Sequence, residues 1–434
     1  MKTRNQAVAA CAVAGAGVLL PAVASSASGT LDSGDTAWLI TATALVLFMT
    51  LPGLAAFYGG LVRSRNVLSV LMQCVAITSV VSLLWVIVGY GLVFGDGGAV
   101  QPWIGSLREA GFAGIDRTAL RGSVPETVFA MFQMTFAIIT PALVVGGFAE
   151  RIRFAAVVGF SVLWLLLVYV PVAHWVWGGG WLAQMGVMDF AGGIVVHVNA
   201  GMAALVGALV VGRRRGFPQV AMPPHSLPLT VLGAGMLWVG WFGFNAGSAL
   251  AANGDAGMAM LATHLGAAAG SLAWMGMEWW RFGKPSMLGI VTGTVAGLGT
   301  ITPASGFVGP LGAVIIGGLA GVVCFHATQV LKRKLQVDDS LDVSPVHGVG
   351  GVVGSLLTAV FAGTAWGGVG QATHGVGSQF VVQLVGVVAT AAWCGIVTYG
   401  IFKLLDRTVG LRVSAEQESE GLDLAEHGER AYIE

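Results

Sequence analysis

The chain is short of charge. Only 10% of its 434 residues are Asp, Glu, Lys or Arg, whereas a soluble globular domain carries about 25%. A soluble chain of this length divides into two or three domains with polar surfaces, and there is too little charge here to cover them. Formal net charge is zero, which leaves no electrostatic footprint for nucleic acid. Cysteine is scarce as well. Cys11, Cys74, Cys324 and Cys394 stand singly in apolar runs, without CxxC or Cys/His metal spacing, and read as buried structural thiols. Cys11 lies early in its run rather than at the end, which argues against a lipid-modified N-terminus. No HExxH, Walker or GxSxG pattern occurs, so zinc hydrolysis, ATP-driven pumping and serine hydrolysis lack residues to carry them. No cofactor is expected. The TVGYG carbonyl filter of potassium channels is missing too.

What the chain has instead is apolar length. It is 56% hydrophobic with a mean hydropathy of +0.81. Its solvent is therefore lipid, where only helices or closed barrels satisfy their own backbone groups. A barrel alternates apolar and polar residues; here the apolar runs are long and unbroken, so the fold class is an all-α membrane protein. A span needs about 20 mainly apolar residues. About eleven runs qualify: Ala37–Gly60, Val67–Phe94, Pro125–Gly147, Phe154–Trp175, Phe190–Gly212, Leu229–Phe244, Gly257–Trp280, Met287–Ile301, Leu311–Leu331, Pro345–Gly363 and Gln379–Leu404.

Before them, Lys2 and Arg4, the apolar stretch Val8 to Val23 and the small residues Ala24 to Ala27 have the grammar of a secretory signal peptide. The expected division is a cleavable signal at 1–27, a transmembrane domain at 28–405 and a tail at 406–434. An uncleaved extra helix is the alternative for the first segment. The tail carries Glu416, Glu418, Glu420, Asp423, Glu426 and Glu429. It is either a solvated end or a docking segment.

Basic residues follow the odd-numbered spans: Arg63 and Arg65, Arg151 and Arg153, Arg213 to Arg215, Arg281 and Lys284, Lys332 to Lys334. Arg108, Arg117 and Arg121 are exceptions, set among Glu109, Asp116 and Glu126. The bias predicts cytoplasmic odd-to-even loops, an outside N-terminus and an inside C-terminus, as a cleaved signal would also leave. Two halves of five spans then enter from opposite sides, plus a final helix, as in inverted-repeat transporters. Gly193-Ile-Val-Val-His197 in one half and Ser344-Pro-Val-His347 in the other are a faint internal echo.

Ionisable groups within spans are costly and hence candidates for function. A lone buried histidine is more often structural, but His197 and His347 at matching places in two inverted halves would meet at mid-membrane. Burial favours their neutral form, which can donate, accept and relay a proton. His264 and His326 have no such mates and read as packing residues; His174 is undecided. Asp189 opens the fifth span and is a helix N-cap, with a favourable field for a cation as a second use. Phe132, Phe136, Trp177 and Phe244 fall near predicted span ends, with Ser248 beyond. Singly they suit lipid anchoring or core packing; together they suit a cation–π vestibule with one hydroxyl acceptor. The 66 glycines suit close helix packing.

Asp189-Phe-Ala-Gly-Gly-Ile-Val-Val-His197-Val-Asn-Ala resembles the signature of the ammonium transporter (Amt) family, in its bacterial branch. Leu51 to Gly60, Phe148 to Phe154, Trp241 to Ser248, Val337 to Gly348 and Thr408 to Val413 match as well, and Trp177 separates the chain from the Rhesus branch. The resemblance implies a site that recruits ammonium at Phe136, Trp177 and Ser248, with Phe132 beside it. It implies a phenyl gate of Phe136 and Phe244, a pore pair of His197 and His347, and Asp189 as supporting acid. It further implies a homotrimer with one pore per subunit and a PII-type nitrogen regulatory protein at the cytoplasmic face. Ser344-Pro345 depart from the family pattern just before the second histidine. The activity expected is conduction of ammonia with its proton handled separately; an ammonium sensor, a membrane enzyme and a passive gas channel are the rivals.

Overall fold

The computed structural model describes residues 29–432, so the predicted signal peptide and Cys11 lie outside them. Among the described residues ten helices are long and apolar enough to cross a membrane, and an eleventh is shorter. In chain order they are α1 (Ser33–Leu61), α2 (Ser64–Phe94), α3 (Glu126–Phe148), α4 (Phe154–Gln184), α5 (Gly193–Val211), α6 (Leu227–Gly247), α7 (Gly254–Phe282), α8 (Met287–Ile301), α9 (Pro310–Lys334), α10 (Ser344–Phe361) and α11 (Val376–Thr408). Each overlaps one apolar run. Most extend past it by a few residues, because polar caps start the helix before the greasy stretch begins. Asp32 accepts from Asp35 N, Asn253 from Asp255 N and Ala256 N, and Ser286 from Gly289 N. A two-residue ribbon, β1 (Leu120–Arg121) against β2 (Val124–Pro125), leads into α3.

The two halves are related element by element. α2 packs on α3 and α4 and α3 packs on α5; correspondingly α7 packs on α8 and α9 and α8 packs on α10. α1 and α6 pack against each other, and the start of α5 lies on α10 while the start of α10 lies on α5. The final helix, α11, lies outside against α4, α5 and α10. Lipid-length spans approach this closely where side chains vanish. A Cβ at Gly201 of α5 would sit 2.2 Å from Gly348 Cα of α10. That crossing holds the first turns of both helices together.

Those first turns are alike and unusual. α5 opens with a π-turn at Gly193–Val198 and α10 with one at Ser344–Val349. Pro345 does not disturb the second, because it occupies the first turn, where its missing N–H leaves nothing unpaired. Such wide turns rotate the side chains that follow and recur at functional positions.

The loops after the odd-numbered helices gather at one end of the bundle, the arginine-rich end. Their charges are not merely solvated. Glu150 accepts from Arg63 N and Nε, Asn66 Nδ2 and Arg214 Nη1, and Arg214 also grips Asp338 with Nη2 at 2.7 Å. Buried Arg151 donates to Gly147, Ala149, Gly212 and Asp338 carbonyls and to Ser340 Oγ. The tail folds onto this end as α12 (Ala415–Glu420) and α13 (Leu422–His427) rather than trailing into solvent. Three of its acids hold it there: Asp423 accepts Ser69 N, Glu418 accepts Arg215 N and Arg412 Nη2, and Glu426 accepts Phe154 N.

Candidate functional site

Two vestibules lead toward the α5–α10 crossing. The wide one, of ≈ 510 Å³, opens at the arginine-poor end and is lined by Phe136, Trp177, Asp189 and Ser248 among others. The narrow one, of ≈ 220 Å³, opens at the arginine-rich end and reaches His347. Between them lies a lumen of ≈ 10 Å³ lined by Phe244, His197, Trp241, His347 and aliphatic side chains. That is near the lower limit for one water-sized molecule. The path therefore runs from Trp177 and Phe136, past Phe244, along His197 to His347, and out.

The aromatic end comes first. Phe136 meets Trp177 edge to face at 5.7 Å and Phe132 at 5.0 Å. Phe136 and Phe244 overlap at 4.3 Å with 34° between planes, and both are buried. This pair closes the floor of the wide vestibule. Phe132 and Phe136 sit well inside α3 rather than near its end; the vestibule sinks into the bundle to reach Phe136, and Phe132 packs against that ring without lining the cavity. Trp177 is held in place by donating from Nε1 to Asp189 O at 3.0 Å. Ser248 Oγ donates to Phe244 O at 2.9 Å, which leaves its lone pairs for an incoming donor.

The acid is a cap of unusual completeness. Asp189 Oδ1 accepts from Gly192 N and Gly193 N, and Oδ2 from Ile194 N and Val195 N. Gly192 at φ +111° makes the turn that brings these four donors round one carboxylate. Its oxygens are committed to backbone, so it supports the site more than it touches a substrate.

Below the phenyl pair, His197 and His347 approach through Nδ1 at 3.2 Å, with ring centroids 5.2 Å apart. At that distance a neutral pair hydrogen-bonds with one Nδ1 as donor and the other as acceptor, the tautomers deciding which. Trp241 stacks on His197 at 5.5 Å and is fixed through Thr302 Oγ1. His197 Nε2 is buried without a protein partner, available to something small in the lumen. Gly299 faces both rings: a Cβ there would make ordinary contact with His347 Nδ1 at 3.7 Å and His197 Nδ1 at 3.9 Å.

The structure thus brings together every site residue expected from the sequence. His264 and His326, expected to be packing residues, lie on the exposed flank of the bundle, and neither lines the path. His174 is buried between Val93 O and Gln101 O. Cys74, Cys324 and Cys394 are buried and free. Among the described residues no His, Cys, Asp or Glu cluster could hold a metal ion.

Three residues escaped the sequence reading. Asp339 precedes His347 by the same interval as Asp189 precedes His197, and it caps α10 by accepting from Val343 N and Ser344 N. The matched interval was the available signal. Trp241 had none. Gln133 lines the wide vestibule one turn before Phe136, and its Oε1 is shielded from solvent with no protein partner.

Comparison with known proteins shows the family. Residues 37–432 match the model of the Ammonium Transporter Family. The chain belongs to that family. It is 48% identical over 408 residues to an ammonium transporter of Aquifex aeolicus, covering 93% of this chain and 94% of that one. Identity to an ammonium transporter of Bacillus subtilis is 47% over 406 residues, covering 93% and 99%. A solved structure described as "Sensor Amt Protein" superposes with a TM-score of 0.84 at 30% identity, covering 91% of this chain and 98% of that chain. Like its relatives, the family member described here is a multi-pass helical membrane protein.

Proposed function

We propose that the chain is an ammonium transporter that gathers NH4+ in the wide vestibule and passes NH3 along the histidine pair, the proton being released or relayed separately. One observation carries this: a lumen with room for a single small molecule, closed above by Phe136 and Phe244 and lined by two imidazoles whose Nδ1 atoms stand 3.2 Å apart. Moving an ammonium-sized ion into a low-dielectric interior costs about 20 kcal/mol in the idealised limit. A desolvated cation–π contact returns about 2 kcal/mol and a charged hydrogen bond about 1.5–3 kcal/mol. Phe136, Trp177, Ser248 and Gln133 are therefore enough to collect the cation at the vestibule floor. They are far from enough to carry it past Phe244.

The bias of basic residues toward the odd-to-even loops supports an arginine-rich end in the cytoplasm and a wide vestibule outside. The site is then a bacterial inner-membrane one, with the N-terminus outside after removal of the signal peptide and the tail inside. A homotrimer with one pore per subunit and a PII-type partner at the cytoplasmic face follow from the family resemblance. No chemistry on the substrate other than proton transfer is required of any residue, so the chain is not assigned an enzyme's role. An ammonium sensor is the second reading, favoured by the likeness to the solved sensor protein; flux through purified protein separates the two.

The test is ammonium uptake and current in proteoliposomes. His347→Ala should change both the current and the selectivity against other monovalent cations. A variant indistinguishable from the parent would remove the histidine pair from the mechanism.

A further inference from the structure

Farther from the histidines, the rim of the wide vestibule carries a second aromatic pair. Phe94 and Phe129 stand 5.0 Å apart, edge to face. Phe129, Gln133 and Phe136 recur at helical spacing along one side of α3, and all three line the vestibule. The outer pair is thus the same kind of cation–π site as Phe136 with Trp177, two helical turns or about 10 Å farther out. It is already filled. The Arg121 guanidinium lies 5.5 Å from the Phe94 ring and 5.1 Å from the Phe129 ring, on the ribbon that itself lines the vestibule. Nη1 donates to Phe94 O at 3.4 Å and lies 3.8 Å from Glu126 Oε1. Tyr90 OH fixes that carboxylate by donating to the same oxygen at 2.6 Å. Both members of the ion pair are 18% exposed, so neither is swung freely into solvent.

We propose that Arg121, balanced by Glu126, is a specificity-determining residue for cation capture: a tethered cation that occupies the rim aromatic site and sets how strongly the vestibule attracts ammonium and small alkylammonium ions. This rests on the ammonium reading of the inner site. A unit charge about 10 Å away shifts cation binding about twofold in bulk water and more than tenfold at an effective dielectric of about 20. Removing the guanidinium vacates Phe94 and Phe129 and leaves Glu126 unbalanced, and both changes favour an incoming cation. Removing the carboxylate does the opposite.

Initial rates of ammonium uptake into proteoliposomes test this with Arg121→Gln, Glu126→Gln, the double variant and Arg121→Lys. Arg121→Gln should lower KM about three- to tenfold, a larger change than in maximal rate. Glu126→Gln should raise KM, the double variant should return toward the parent, and Arg121→Lys should stay close to it. High salt should shrink every difference. The proposal is overturned if the two single substitutions leave KM alone or move it in the same direction. If Arg121→Gln does not fold, Glu126→Gln decides: a raised KM supports the proposal, and an unchanged or lowered one overturns it. Trp177→Leu run in parallel separates the two layers. If it raises KM while the charge pair does nothing, the inner site stands and the rim site fails; if neither moves KM, the recruitment reading itself falls.

Discussion

At the scale of single residues, the site was legible where its chemistry was expensive and hidden where it was cheap. His197, His347 and Asp189 stand out because an ionisable group inside an apolar run demands a reason. Gln133 and Trp241 carry no such demand, since amides and indoles are common near helix ends and in cores. Arg151 and Arg214 read as ordinary loop cations, and only their partners reveal that they are buried. Asp189 makes the sharpest residue-level prediction. Asn in its place offers one acceptor oxygen and presents an NH2 to backbone donors. With hydrogen bonds to a charged acceptor contributing about 1.5–3 kcal/mol each, Asp189→Asn should cost at least about 3 kcal/mol. The expected result is a lower thermal midpoint of the purified protein and loss of transport. A parent-like midpoint would mean that the four-donor cap does not hold the α5 turn.

At the scale of elements, eleven apolar runs became eleven helices because lipid leaves a backbone few other choices. Their ends slid outward to polar caps such as Asp32 and Asn253, which hydropathy cannot see. The π-turns at Gly193–Val198 and Ser344–Val349 left no mark in composition, yet they aim the histidines. The repeat was visible as an echo around His197 and His347; its full extent, including Asp339, needed the packing. The glycine excess suits close packing, and Gly201 tests this sharply. Gly201→Ala places a methyl 2.2 Å from Gly348 Cα, so α5 and α10 must part. Transport should be lost and the thermal midpoint should fall. Gly318→Ala is the control, since a Cβ there meets nothing within 4 Å and should leave both unchanged. Equal tolerance of the two changes would show that the crossing does not depend on bare backbone contact.

At the scale of the whole molecule, charge is concentrated at one end and used as a fastening. Burial alone would raise the Glu150 pKa, but Arg214 and then Arg63 outweigh it and hold the carboxyl below its usual range. A depressed folded value contributes stability that is complete above the unfolded value of about 4.3 and lost as pH falls through the folded one. The thermal midpoint should therefore drop as pH falls below about 4. Glu150→Gln should flatten that acid limb and cost about 3–5 kcal/mol at neutral pH by leaving Arg214 short of a partner. An acid limb identical in the two proteins would assign it to other carboxylates. The docked tail belongs to the same fastening, through Glu418 and Asp423.

The proposed mechanism requires that no bare cation pass between Phe244 and His347. Potassium tests it directly, because it has the charge of ammonium and no proton to give up. Under one imposed potential, proteoliposomes holding the purified chain should accumulate ammonium nitrogen while passing no measurable potassium current. A potassium current comparable to that with ammonium would contradict the claim.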